Sequence, residues 1–370
     1  MKIAMIGHKL VPSRSGGIEV AVEALSTRMA SLGHDVTLYN RGKDPKVHNQ
    51  IYKGVRIRSV PVVKRQGISA VMGSFLATMR AIFGGYDCIH FHAEGIAAMT
   101  VLPHLCRIPT VVTIHGLDWQ RCKWGRFASW YLKLGERNAV RYADKIIVLS
   151  RAMQQYFLDT YNRETIYIPN GMPAPSPMAA DAITRKWDLH KDDFILYLGR
   201  IVPEKGLENL IRAFSSLQTD KKLVIAGSSL DLPEHFAMLK DLAKDDPRIL
   251  FTDFVQGDEL KELFSNCYLY CLPSDLEGMP ISLLEALSFH NCCLSSDIPE
   301  CAEVLGDWGY QFRCGSMEDL RERLQMLCDH PEKVAESRHQ VEEHFTHLTW
   351  DEVTEQTLAL YRSLRKDGKA

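Results

Sequence analysis

Short runs of apolar, β-branched residues alternate along this chain with longer stretches of helical spacing. KIAMI (2–6), DVTLY (35–39), CIHF (88–91), TVVTI (110–114) and KIIVLS (145–150) are bounded by Gly, Asp or Pro and predict buried strands. Between the first two, Val20, Val22, Leu25, Met29 and Leu32 recur at helical intervals until Gly33, which predicts a helix. This alternation predicts the α/β class, with a parallel sheet covered by helices on both faces. It stops after IYIPNG (166–171). MPAPSPMAA (172–180) has three Pro in nine residues and no period, so it reads as a linker. The alternation then restarts with FILYLG (194–199), KLVIAG (222–227), RILFTD (248–253), CYLYCLP (267–273) and CCLSS (292–296). TWDEVTEQTLALYRSLRK (349–366) closes the chain as an amphipathic helix.

A length of 370 residues agrees with two domains, which the pattern places at 1–172 and 178–349. The longest apolar stretch, 67–85, is interrupted by Arg80 and makes a poor membrane span. Met1-Lys2 leads directly into a strand-like run, so no secretory leader is expected and the location expected is cytoplasmic. The ten cysteines show no C-x-x-C pair and read as reduced thiols, mostly core filler. Net charge is only −2, but it is unevenly spread. Residues 1–175 hold 23 Lys and Arg against 11 Asp and Glu, a net +12, which leaves −14 for the rest. Such asymmetry predicts that one half faces an anionic surface or ligand; two independent solvated surfaces would show the same counts.

Four segments carry candidate chemistry. After the first strand a loop leads to Gly16-Gly17, which open a helix. Free N–H groups at a helix start favour an anion, although a Gly-rich turn looks the same. The G-x-G-x-x-G of a dinucleotide fold is missing there, which disfavours an NAD-dependent oxidoreductase. In GRIVPEKGLENLIRAF (199–214), Arg200 and Lys205 flank a turn at the end of a strand, where parallel sheets bind ligands; a solvated basic loop or a Lys205–Glu208 pair is the plainer alternative. In DLEGMPISLLEALSFHN (275–291), Pro280 suits a helix start and the amides near Ile281 and Ser282 would face an anion. Glu277 and Glu285 can each accept hydrogen bonds from sugar hydroxyls. His115, in TIHGLDW (113–119), would stand at a strand's C-terminal end, a place where a lone His is usually structural.

Taken in order, GGIE (16–19), LGHDV (32–36), TIHG (113–116), ADKIIVLS (143–150), IPNG (168–171), LGRIVPEKGLENLI (198–211), IAG (225–227) and EGMPISLLEA (277–286) resemble the retaining GT-B glycosyltransferases marked by an E-x7-E motif. The opening and LGHDVTLYNRG look most like bacterial polysaccharide enzymes, rhamnosyltransferases among them. The resemblance implies two Rossmann-like domains with parallel sheets facing a central cleft, and a terminal helix (about 350–370) crossing back onto the first. It implies that Arg200 and Lys205 bind the donor diphosphate, helped by backbone at Gly16 and Gly17. Glu285 would hold the ribose. Glu277, with the backbone of Gly278, Met279, Pro280 and Ile281, would hold the transferred sugar, and His115 would reach it from the other domain. Phe254 and Val255 stand where the family's loop contacts the base. After EAL the family usually has a Gly and then a Pro, whereas this chain has His290 and Cys292.

The expected activity is transfer of a sugar from a UDP-, GDP- or dTDP-sugar to a saccharide or lipid-linked acceptor, with retention. No D-x-D pair occurs, so neither a metal nor another cofactor is expected. The alternative is a non-catalytic nucleotide-sugar-binding subunit. Nucleic acid is not an expected partner. Lys64, Arg65 and Arg80 bracket SAVMGSFLATM (69–79). As a helix, this run would put Val71, Phe75 and Met79 on one face, predicting peripheral docking of the first domain on the inner, anionic face of the plasma membrane. Packing of the run in the core is the competing expectation.

Overall fold

The computed structural model describes residues 1–42, 50–62, 67–120, 125–228 and 232–367. Lys64 and Arg65 lie outside the described residues. The chain forms two compact units, Met1–Gly171 with Leu348–Ala370, and Met172–His347.

The first unit is built on eight strands: β1 (Lys2–Ile6), β2 (Asp35–Arg41), β3 (Ile51–Tyr52), β4 (Val55–Val60), β5 (Cys88–His92), β6 (Thr110–Ile114), β7 (Lys145–Val148) and β8 (Ile166–Tyr167). Their order is β3-β4-β2-β1-β5-β6-β7-β8, and all pairs are parallel except β3 with β4. β1 lies at the centre because Ile3 to Ile6 are apolar and buried on both faces, as a sheet covered on two sides requires. β4 differs: Val55 and Ile57 are buried while Arg56 and Arg58 are exposed, the alternation of a strand with one wet face. That alternation, rather than a continuous apolar run, is why β3 and β4 were not among the expected strands.

Helix Gly17–Ser31 buries Ala21, Val22, Leu25 and Met29. Leu32, expected on the same face, is exposed because the helix has ended: it is the C-cap residue, and its N–H bonds back to Arg28 O. Helix Trp350–Asp367 packs on this helix, so the end of the chain completes the unit in which the chain began. Arg28 Nε lies 2.6 Å from Asp351 Oδ1, an exposed pair worth about 0–1 kcal/mol. Burial of Trp350, Leu358 and Tyr361 contributes more.

The second unit has six parallel strands, β9 (Phe194–Leu198), β10 (Lys222–Ala226), β11 (Ile249–Asp253), β12 (Leu269–Leu272), β13 (Cys293–Ser296) and β14 (Tyr310–Phe312), in the order β11-β10-β9-β12-β13-β14. The order reverses direction between β9 and β12, the point where an open α/β sheet leaves a crevice at its C-terminal edge. Cys267, Cys271, Cys292, Cys293 and Cys301 are buried free thiols that fill this core. His290, standing where the family has Gly, takes a left-handed φ of 56° after helix Ile281–Ser288. The loop thus keeps a conformation that suits glycine although the residue has changed.

Candidate active site

In the second unit the candidate residues gather at the C-terminal edge of β9 and β12. Tyr197 is buried, and its hydroxyl donates to Arg200 O at 2.8 Å, which fixes the chain as it leaves β9. Burial pushes the Tyr197 hydroxyl well above the usual phenol range, so it remains a donor. The turn Pro203–Lys205 follows and is closed by Gly206 at φ 65°. A Cβ on Gly206 would stand 2.0 Å from Pro273 O, so the turn lies directly against the exit of β12. Asp275 N donates to Glu204 O at 2.9 Å across the same seam.

Lys205 Nζ and Glu277 Oε1 form a direct charge-assisted hydrogen bond across the seam, with the two side chains 14% and 10% exposed. Sequence reading gave these residues separate ligand atoms; the structure pairs them with each other. Glu208 instead bonds Arg212 at 2.9 Å, so the Lys205–Glu208 pair does not form. Arg200 makes no ion pair among the described residues.

Pro280 is the N-cap of helix Ile281–Ser288, one position earlier than the first-turn place the sequence suggested. Leu283 N and Leu284 N both donate to Pro280 O, at 3.1 and 3.2 Å. The amides of Ile281 and Ser282 find no hydrogen-bond partner among the described residues. Ser282 Oγ accepts from the buried Tyr270 hydroxyl at 2.8 Å, which anchors the helix start on β12. Glu285 is buried one turn later among Leu283, Leu284, Ala286 and Leu287, not on a solvated face. Phe254 follows β11 and is half-exposed, while Val255 is buried and offers a ligand little beyond backbone.

In the first unit, Gly16 is the extended N-cap of helix Gly17–Ser31. Glu19 lies against this cap: its Oε2 would stand 2.7 Å from a Cβ on Gly16, and its Oε1 accepts from Lys9 N at 2.8 Å. The loop is held from the other side by Asn40, which takes Val11 N at 3.1 Å and gives Nδ2–H to Val11 O at 2.9 Å. Neither Glu19 nor Asn40 was singled out from sequence. GGIE put Glu19 three residues after the cap, the spacing at which a carboxylate reaches back.

His115 follows β6 and does not stand alone. Its Nε2 lies 3.0 Å from His92 Nδ1 at the end of β5. His90 bonds Thr113 Oγ1 at 2.7 Å and the Tyr361 hydroxyl at 2.5 Å, and His8, after β1, bonds Asn40 Oδ1 at 2.9 Å. Burial holds His8 and His115 down at about 4 and His90 at about 3, and lowers His92 well below its ordinary value. All four are neutral at pH 7. His115 therefore offers a neutral hydrogen-bonding edge and no positive charge. The signal for the cluster was present in IHFH (89–92), whose alternate histidines share one face of a strand.

The Glycosyltransferase Family 4 model matches residues 15–176 and the Glycosyl transferases group 1 model matches residues 180–344. An uncharacterized glycosyltransferase of Methanocaldococcus jannaschii is 25% identical over 393 residues, covering 98% of each chain. Sucrose-phosphate synthase of Thermosynechococcus elongatus has the same fold, with a TM-score of 0.82 at 18% identity over 99% of each chain. HepE of Anabaena, solved with UDP-glucose, gives a TM-score of 0.79 at 15% identity over 98% of this chain and 100% of its own. With two parallel-sheet domains in the GT-B manner and both halves matched in order, the chain belongs to the group 1 glycosyltransferases.

Proposed function

We propose that this enzyme moves a hexosyl or deoxyhexosyl group from a nucleoside-diphosphate donor to a saccharide or lipid-linked acceptor, with retention and without a metal. The observation that carries the reading is the grouping on the second unit: Arg200, the Lys205–Glu277 pair, the unpartnered Ile281 and Ser282 amides and buried Glu285 share one sheet edge. Two cations and two free amides suit a diphosphate, and two carboxylates suit hydroxyls. Phe254, with the backbone at Val255, is assigned to the base. The first unit is the proposed acceptor side, with neutral His115 as a hydroxyl partner. In the reaction the acceptor oxygen bonds to the anomeric carbon as the bond from that carbon to the diphosphate oxygen breaks. The acceptor's proton passes to the leaving phosphate oxygen, while Arg200, Lys205 and the helix-start amides stabilise the charge that develops there.

Incubating the protein with UDP-, GDP- and dTDP-sugars and measuring nucleoside diphosphate release and thermal shift tests this reading. UDP-glucose comes first, because a neighbour of the same fold was solved with it. A ligand at one hundred times its Kd adds about 2.7 kcal/mol, an easily seen shift. Binding without turnover or transfer would leave only a binding subunit.

Arg200→Ala should weaken nucleoside diphosphate binding by about 1.5–3 kcal/mol and leave nucleoside binding unchanged. Equal losses for both ligands would remove Arg200 from the phosphate site. The two glutamates should separate by phenotype. Glu285→Gln weakens nucleotide binding, because its assigned partner is the ribose. Glu277→Gln lowers turnover and leaves nucleotide affinity intact or raised, because it releases Lys205 to the diphosphate. Titrating each variant with nucleotide and then following turnover distinguishes them, and exchanged phenotypes refute the assignment.

A further inference from the structure

Helix Ile68–Ile82 in the first unit is arranged the opposite way from an ordinary surface helix. Gly73, Ser74, Ala77, Thr78 and Ala81, all small, face the protein and are buried. Gly73 sits so close to its neighbours that a Cβ would lie 3.0 Å from Arg41 and Val62 side-chain carbons. Leu76 packs against the core, but three large residues point outward: Val71 is exposed, Phe75 is 45% exposed, and Phe83 at the helix end is 82% exposed. A water-facing helix places its large apolar residues inward. Beside Met79 and Phe83 opens a recess of about 450 Å3 walled by Lys2, Arg56, Arg58 and Arg80. Lys2 Nζ and Arg80 are held by the carbonyls of Gly84 and Ser59, at 2.6 and 2.9 Å, which orients them without neutralising them. Arg56 faces Asp35 at 3.3 Å. Asp87 accepts from Lys2 N at 2.8 Å, so four cations on the wall, which itself holds no carboxylate, stand against two neighbouring ones and leave the recess positive.

We propose that this face docks on an anionic bilayer, with a lipid phosphate in the recess and Phe75 and Phe83 inserted at the headgroup boundary. Charge complementarity selects the occupant: a second copy docked two-fold on this face would bring the same four cations against these, and a soluble phosphate would leave the outward aromatics in water. A segment of this kind lies in the interface plane, its apolar insertion and its cations acting together. The docking does not depend on the donor assignments above.

The test is co-sedimentation of the full chain with phosphatidylcholine vesicles, with and without phosphatidylglycerol, at low and high salt. Binding should require phosphatidylglycerol and fall with salt. Phe75→Ser/Phe83→Ser should lower it at least about tenfold and Arg58→Glu severalfold. All three positions are exposed, so thermal unfolding and nucleotide-induced thermal shift should match the parent chain. Absence of binding to anionic vesicles overturns the proposal. Equal binding to neutral vesicles also overturns it, as does unchanged binding of these variants with loss in Phe127→Ser/Trp130→Ser, whose exposed aromatics lie on helix Arg126–Tyr142. Loss of nucleotide binding in the parent chain would sink the proposed function and leave the docking result standing.

Discussion

Acidification from pH 7 to pH 5 should unfold the first unit far more readily than ordinary carboxylate titration would. His8, His90, His92 and His115 all have pKa values lowered by burial. The unfolded chain gains a proton at each as the pH falls through 6.5, and the folded chain does not until about 4 for His8 and His115 and about 3 for His90. Their contribution is therefore fully present above pH 6.5 and is lost as the pH falls through that window. Each histidine sets a slope of roughly 1.4 kcal/mol per pH unit. Glu94 works the other way: burial, Asp118 and Glu136 raise its pKa, so it is already protonated when folded, and stability from it grows as the pH falls. Four losses against one gain leave about three protons, or about 4 kcal/mol per pH unit. A domain holding only ~5–15 kcal/mol does not survive much of that. Urea midpoints measured from pH 7.5 to 5 check the slope, and His90→Gln should reduce it by about one proton. A midpoint independent of pH over that range would show that the histidines are not buried as neutral groups.

Gly206→Ala should damage the second unit severely. Left-handed backbone costs a non-glycine residue about 1–3 kcal/mol, and forcing a carbon into a filled space costs about 1–3 more. Here the obstacle is Pro273 O, a backbone atom 2.0 Å from the new Cβ, and the turn cannot back away without breaking the Asp275–Glu204 bond. A total of about 2–6 kcal/mol corresponds to roughly 5–20 °C in Tm for a unit of this size. Gly315→Ala is the comparison in the same unit. Its φ is +75°, but nothing lies within 4 Å of the added carbon, so only the backbone strain is felt. Calorimetry of the two variants isolates the collision. Gly206→Ala should also weaken nucleoside diphosphate binding, because Lys205 is displaced with the turn. Equal melting of both variants would mean that the seam between 203–206 and 273–275 yields.

The buried strands were the easiest part of the fold to read, because a parallel sheet covered on both faces leaves continuous apolar runs. TVVTI became β6 without change. Shorter or half-wet strands such as β4, β8 and β14 carry too few buried residues for a run to show. The candidate residues of the second unit were visible because glycine, proline and charge cluster at strand ends. Their partners were not. The Lys205–Glu277 bond joins residues 72 positions apart, and His90 meets Tyr361 from 271 positions away. Such pairings depend on how loops close in space, which no local pattern encodes. Of the apolar face expected on helix Ile68–Ile82, Val71 and Phe75 are exposed, while Met79 is only half-exposed.

Because residues 348–370 return to the first unit, that unit is finished last. Synthesis runs from the N-terminal side, so β1 through β8 emerge from the ribosome well before the helix that covers Gly17–Ser31 and supplies Tyr361 to His90. All of Met172–His347 is made in between, which at ~5–20 residues per second takes roughly ten to thirty-five seconds. Throughout that interval the nascent first half holds an uncovered apolar helix face and a buried imidazole without its phenol. The half made first is thus the one exposed longest to chaperones and proteases, and a circular permutant that begins with the terminal helix would remove that delay while leaving the mature contacts unchanged.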